Sequence, residues 1–127
     1  MAISRRQLIQ AAALSTLGGA GAAFSQQYPS KPIRLIVPAS AGTTIDVTAR
    51  FVSEALANRL KTPVVIENRA GAGGAIGSDF VAKAAPDGYT LVFPGIVHFT
   101  TRYLPDSAVS YDPVKDFTAI AKLNGAA

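Results

Sequence analysis

Three short apolar runs, separated by segments of helical length, constrain this chain more than any other feature of its sequence. Ile33-Arg34-Leu35-Ile36-Val37 is β-branched and apolar and is closed by Pro38, which removes a backbone donor and stops a buried strand. Val64-Val65-Ile66-Glu67 follows Pro63, and Thr90-Leu91-Val92-Phe93 ends at Pro94-Gly95. Between the first two lies Asp46 to Leu60, with Val47, Phe51, Ala55 and Leu56 at three- and four-residue intervals and Arg50, Glu54 and Arg59 mostly opposite, which predicts an amphipathic helix lying on a sheet. The glycine-rich stretch Asn68 to Gly77 leads into a second helix reaching about Ala85, and Pro86-Asp87-Gly88 has the residue types of a turn. This alternation predicts an α/β fold, a parallel sheet covered on both faces. A short helix over His98 to Tyr103, a loop through Tyr111-Asp112-Pro113 and a fourth strand from about Thr118 to Leu123 complete the expectation.

The first 25 residues read as an export signal instead of a folded element. Arg5 and Arg6 are the only charges before Lys31, and they precede an Ala/Gly-rich run from Leu8 to Phe24. That run is shorter and more glycine-broken than the roughly 20 apolar residues a membrane-spanning helix needs. Cleavage is expected near Ser25/Gln26, with a cut after Ala22 or Ala23 as the alternative, so residues 26–127 would form the mature chain. Ser4-Arg5-Arg6-Gln7-Leu8-Ile9 resembles the twin-arginine signal, and the general secretory route stays open beside it. Removing this segment takes away two arginines and no acid, so the formal net charge falls from +4 to +2. The remaining Lys and Arg are dispersed, unlike the clustered cations that phosphate backbones require, and no nucleic-acid partner is expected.

The absence of cysteine excludes a disulfide scaffold, a thiolate nucleophile and cysteine-ligated zinc, and a single histidine excludes a multi-histidine metal site. No serine sits in a nucleophile-elbow pattern with a paired base, and Glu54, Glu67, Asp79 and Asp87 fall in separate elements. Nothing positive points to catalysis, to a metal or to a cofactor.

In a parallel sheet, ligands sit beyond the carboxyl ends of the strands, where the loops starting at Pro38, Asn68 and Pro94 all fall. The first, Ala39-Ser40-Ala41-Gly42-Thr43-Thr44, has the clearest logic. Unpaired amides and the aligned peptide dipoles make a helix start a place for an anion, Gly42 permits an unusual φ, and the hydroxyls of Ser40, Thr43 and Thr44 can donate. Thr43 or Thr44 as a plain N-cap, with Asp46 in the first turn, is an equally physical reading and is compatible with the first. Gly71-Ala72-Gly73-Gly74-Ala75-Ile76-Gly77 fits a dinucleotide fingerprint poorly, because Ile76 stands where the third glycine belongs. Its alternative is a turn that lets helix and strand pack closely. His98 could donate to an anionic ligand or serve the fold.

Five segments lie together in register: Tyr28-Pro29-Ser30-Lys31-Pro32-Ile33, Pro38 to Arg50, Glu67-Asn68-Arg69 with Gly71-Ala72-Gly73-Gly74, Ala85 to Leu91, and Tyr111 to Phe117. In that order and spacing the chain resembles the extracytoplasmic solute receptors of tripartite tricarboxylate transporters, the Bug/TctC-type binding proteins. The resemblance implies one lobe of a type II-like periplasmic binding protein, truncated before its second lobe, that closes over a small carboxylate and delivers it to membrane permease subunits. Ligand contacts would come from Ser40, Ala41, Gly42, Thr43, Thr44 and Asp46 and from Gly95, Ile96 and His98. Ala39 replaces a usual aromatic, Thr43 a usual glycine, and Thr101-Arg102 a usual Asn-Pro. The chain would represent well under half of such a receptor. Two further readings remain: half of a dinucleotide-dependent oxidoreductase, and a stand-alone exported interaction domain.

Overall fold

Ile33–Val37 forms β1, the middle strand of a three-stranded parallel sheet ordered β2-β1-β3. The computed structural model describes residues 27–100, 103 and 109–123; the expected export signal and Thr101-Arg102 lie outside them. α1 spans Thr44–Leu60, β2 Val64–Asn68, α2 Ala75–Ala82 after a 3₁₀ turn at Ala72–Gly74, β3 Thr90–Val92, and α3 Val97–Thr100. A strand bonded on both sides and covered on both faces must be apolar almost throughout, and Ile33, Leu35, Ile36 and Val37 are all buried. The register sets Leu35 between Ile66 and Leu91, and Ile36 between Glu67 and Val92. Among the described residues no helix is long and apolar enough to cross a membrane.

One face of the sheet carries the core, where Leu35, Val37 and Ala49 pack with Ile45, Val64, Ile66, Leu91 and Phe93. The α1 surface turned inward is not the one the periodicity predicts. Asp46, Ala49 and Ser53 are its buried residues, while Val47 is exposed and Phe51 is 71% exposed. Small side chains at three- and four-residue spacing let the helix settle close to the strands, and Asp46 is drawn inward by donors that a hydropathy pattern does not register.

The opposite face is polar at its centre. Arg34 holds Glu67 with two hydrogen bonds, of 2.6 and 2.9 Å, across β1 and β2. The guanidinium carbons of Arg69 and Arg34 lie 3.7 and 5.1 Å from the centroid of the Phe80 ring on α2. The Arg69 Nε is buried with no hydrogen-bond partner, and its ring neighbour supplies the compensating attraction. The segment before β1 is strapped to the turn before β3: Tyr28 Oη donates to the Gly88 carbonyl at 2.8 Å, and Ser30 N donates to Tyr89 Oη at 2.8 Å. Lys31 pairs with Asp87 at 3.1 Å.

Two further expectations need correction. α2 stops at Ala82, short of Ala85, because the residue before Pro86 is pushed toward extended backbone and the helix has to end upstream of it. Thr118 to Leu123 forms no strand: it is irregular and exposed, and no neighbouring strand among the described residues supplies a ladder to it.

The glycine stretch works through close packing. A Cβ at Gly77 would lie 2.8 Å from both the Arg69 carbonyl oxygen and the Pro38 Cβ. Both obstacles belong to the ends of strands that cannot retreat. Gly77→Ala is therefore expected to cost about 1–3 kcal/mol as an overpacking change, read as a lowered midpoint in equilibrium urea unfolding; an unchanged midpoint would mean that α2 is free to move off the sheet.

Candidate functional site

All three strands point their carboxyl ends to one edge, and the loops leaving them enclose a hollow of about 280 Å³. Ser40 and Ile45 line it from the first loop and the start of α1, Gly71, Gly73 and Gly74 from the second, and Gly95, Val97 and His98 from the third, with Ser78 beneath. The wall is mostly apolar. Both α1 and α2 begin here, so the positive ends of two helices face one space.

The first loop is built around Asp46. Thr43 is the N-cap of α1: its Oγ1 accepts from Asp46 N at 3.4 Å and donates to the Ser40 carbonyl at 2.8 Å. Gly42, at φ 82°, turns its amide inward onto Asp46 Oδ2 at 2.8 Å. Arg50 donates to both carboxylate oxygens, at 3.0 and 3.2 Å, and Asn68 Nδ2 donates to Oδ1 at 2.8 Å. The side chain is only 2% exposed. The Arg50 bond first, then the Gly42 amide and Asn68, hold the Asp46 pKa down at about 2. Its negative charge is thus fully engaged on the inner side of the loop. The Ser40 and Ala41 amides and the Ser40 hydroxyl have no partner among the described residues.

The nine residues expected to contact a ligand separate accordingly. Ser40, Gly95 and His98 line the hollow, and Ala41 and Thr44 are exposed and do not line it. The Gly42 amide, the Thr43 hydroxyl and the Asp46 carboxylate are committed to shaping the loop. Ile96 is 75% exposed and does not line the hollow.

His98 is buried within an aromatic group, with ring centroids 5.4 Å from Tyr111, 4.7 Å from Phe117 and 4.9 Å from Phe99. Its Nδ1 lies 2.9 Å from Ser78 Oγ. Donor and acceptor roles in the His98–Ser78 pair follow the tautomer of the ring. Burial lowers the His98 pKa, opposed by the Pro113 backbone. The imidazole binds the 111–117 segment to α2 and forms part of the floor of the hollow.

The structure adds Asn68, Ile45 and Ser78 to the site. Asn68 was within reach of sequence reasoning, since the last residue of a strand beside β1 must lie at the same edge; it pairs in register with Val37. Ser78 was not, because only the helix packing sets it under His98. Among the described residues no group of three or more His, Cys, Asp or Glu side chains is arranged to hold a metal. The glycine turn follows the outer strand β2, and Gly77 serves the packing of α2 on Pro38.

Two pH responses follow. A carboxylate whose folded pKa is depressed stabilises fully above its unfolded value, near 4, and loses that contribution as pH falls toward about 2. Asp46→Asn should lower the melting temperature at neutral pH and flatten the acid limb between pH 4 and 2 in a calorimetric series; an acid limb of unchanged slope would contradict the clamp. For His98 the folded pKa lies below the unfolded 6.5, so the native state binds fewer protons and stability declines as pH drops below that value. His98→Gln should remove this part of the slope, and a slope identical to wild type would show the ring to be accessible to protons in the fold.

Residues 48–127 match the family described as the tripartite tricarboxylate transporter family receptor. The chain is 43% identical over 100 residues to a UPF0065 protein of Bordetella bronchiseptica, covering 79% of this chain and 30% of that protein. It is 48% identical over 79 residues to protein BugT of Bordetella pertussis, covering 62% and 24%. Among solved structures it is similar to the periplasmic binding protein BugD, at 36% identity and TM-score 0.62, covering 71% of this chain and 30% of that one. Rpa4515 of R. palustris with adipate gives 34% and 0.64 with coverage of 68% and 29%, and MatC of Rhodopseudomonas palustris with bound malate gives 35% and 0.62 with coverage of 72% and 31%. The chain therefore spans about a third or less of the length of these relatives. With a parallel α/β sheet, a loop-lined hollow at its carboxyl edge and a match over most of its length, the chain belongs to the tripartite tricarboxylate transporter receptor family, whose members are solute-binding receptors, not a class of enzymes.

Proposed function

We propose that the hollow at the carboxyl edge is one wall of the binding site of an exported, periplasmic receptor, which takes up a small organic carboxylate and passes it to membrane permease subunits. One observation carries this reading: two helices start beside a space lined by Ser40, whose amide has no partner among the described residues, while the loop's own carboxylate, Asp46, is spent on shaping it. The local field there favours a negative group. The apolar lining from Pro38, Ala39, Ile45 and Val97 suits the carbon body of such an acid. Malate and adipate, the compounds bound to MatC and Rpa4515, have this combination of charge and hydrocarbon.

An enclosed ligand normally buries 70–90% of its surface, and the hollow described here offers one wall. Substantial affinity therefore belongs to a receptor of the relatives' full length, and this chain alone should bind carboxylates negligibly. The experiment is a thermal-shift screen of the receptor at that length against malate, adipate, other dicarboxylates, tricarboxylates and aromatic acids. A ligand at one hundred times its Kd should add about 2.7 kcal/mol to native stability. A well-folded receptor whose melting temperature moves with none of them would refute the proposal.

A further inference from the structure

We infer that Asn68 is a positioning residue for the anion-facing loop, holding it in its receptive shape from the neighbouring strand before any ligand arrives. The inference rests on the carboxylate reading above for its functional meaning and on hydrogen bonding for its geometry. The two hydrogens of the Asn68 amide go to two different parts of the same loop. One reaches the Ala39 carbonyl, at the loop's start, at 3.2 Å, and the other reaches Asp46 Oδ1, at its far end, at 2.8 Å. The same carboxylate then holds the middle of the loop through the Gly42 amide. Start, middle and end of the Ala39–Asp46 segment are thereby tied to one side chain on β2.

Residues 40–44 themselves are exposed, and their only bonds to one another are the two from Thr43 to the Ser40 carbonyl. A free loop of this kind would have to be ordered by its ligand, at a cost to affinity; a tied one has that ordering done in advance. Asn suits this place for a chemical reason. Its amide supplies two donors to two acceptors, whereas an isosteric carboxylate supplies none and would add a second negative charge beside Asp46.

The test uses the receptor at the length of its relatives, with Asn68→Ala, Asn68→Asp and Asn68→Ser. The readouts are amide hydrogen exchange at residues 39–44, exchange in β1 as the internal reference, and the calorimetric Kd for whichever of malate or adipate raises the wild-type melting temperature. Expected are faster exchange in the loop with β1 unchanged, and a Kd weakened at least about tenfold in both the Ala and Asp variants. The Ser variant, with one donor left, should fall between them and wild type. An Asn68→Asp variant that keeps wild-type exchange and affinity would show that shape, not donation, matters, and would overturn the inference, as would Asn68→Ala with Kd and loop exchange within twofold of wild type. If wild type binds neither acid, the carboxylate reading loses its support, and the loop exchange rates of the variants alone decide whether Asn68 is the clamp.

Discussion

The parallel pairing of β1 with both its neighbours is the constraint from which the remaining architecture follows. Parallel strands cannot be joined by a tight turn, so the chain crosses back after each one, and every helix starts at the edge where the strands end. The strand in the middle is paired on both sides and largely covered on both faces, which is why Ile33 to Val37 is nearly all hydrocarbon, with Arg34 reaching the partly open edge of one face. Three loops and two substantial helix starts are gathered at one edge by this geometry before any side chain is chosen. The hollow there is a product of topology, and its chemistry is a matter of what the loops carry.

What they carry is governed by a buried charge. A carboxylate removed from water must be compensated, and Asp46 is met by a guanidinium, a side-chain amide and a backbone amide. The result is a loop whose negative charge faces the protein and whose spare donors face outward. On the proposed carboxylate reading, an acid beside the hollow would ordinarily repel the ligand. Here its partners neutralise it, and it becomes the device that folds the loop.

The far side of the hollow is organised by a neutral imidazole. His98 meets Ser78 on α2, stacks with Tyr111 and meets Phe117 edge to face, so the segment from Tyr111 to Phe117 packs on the same group that forms the floor. The glycines of the second loop act on the same scale: without a side chain at Gly77, α2 comes within contact of the end of β1 and narrows the space between the two loops.

Much of this was legible in the residues alone. Strand identity followed from β-branched runs bounded by proline, and β1 has the bounds expected of it; the edge where the loops gather followed from the order of elements. Less legible was anything dependent on rotation or on distant neighbours. The periodicity of α1 pointed to Val47 and Phe51 as the inward face, because hydropathy cannot weigh a buried acid with three partners or the close approach that Ala49 and Ser53 allow. Thr118 to Leu123 has the apolar content of a strand, but a strand exists only where another donates and accepts alongside it. Local sequence thus determined which segments extend, which coil and where the loops gather, since those choices rest on propensity and on backbone donors present or missing. Only the tertiary structure decided which side chains face the hollow and which are spent holding it, because that depends on hydrogen-bond partners some twenty residues or more away, Asn68 for Asp46 and Ser78 for His98.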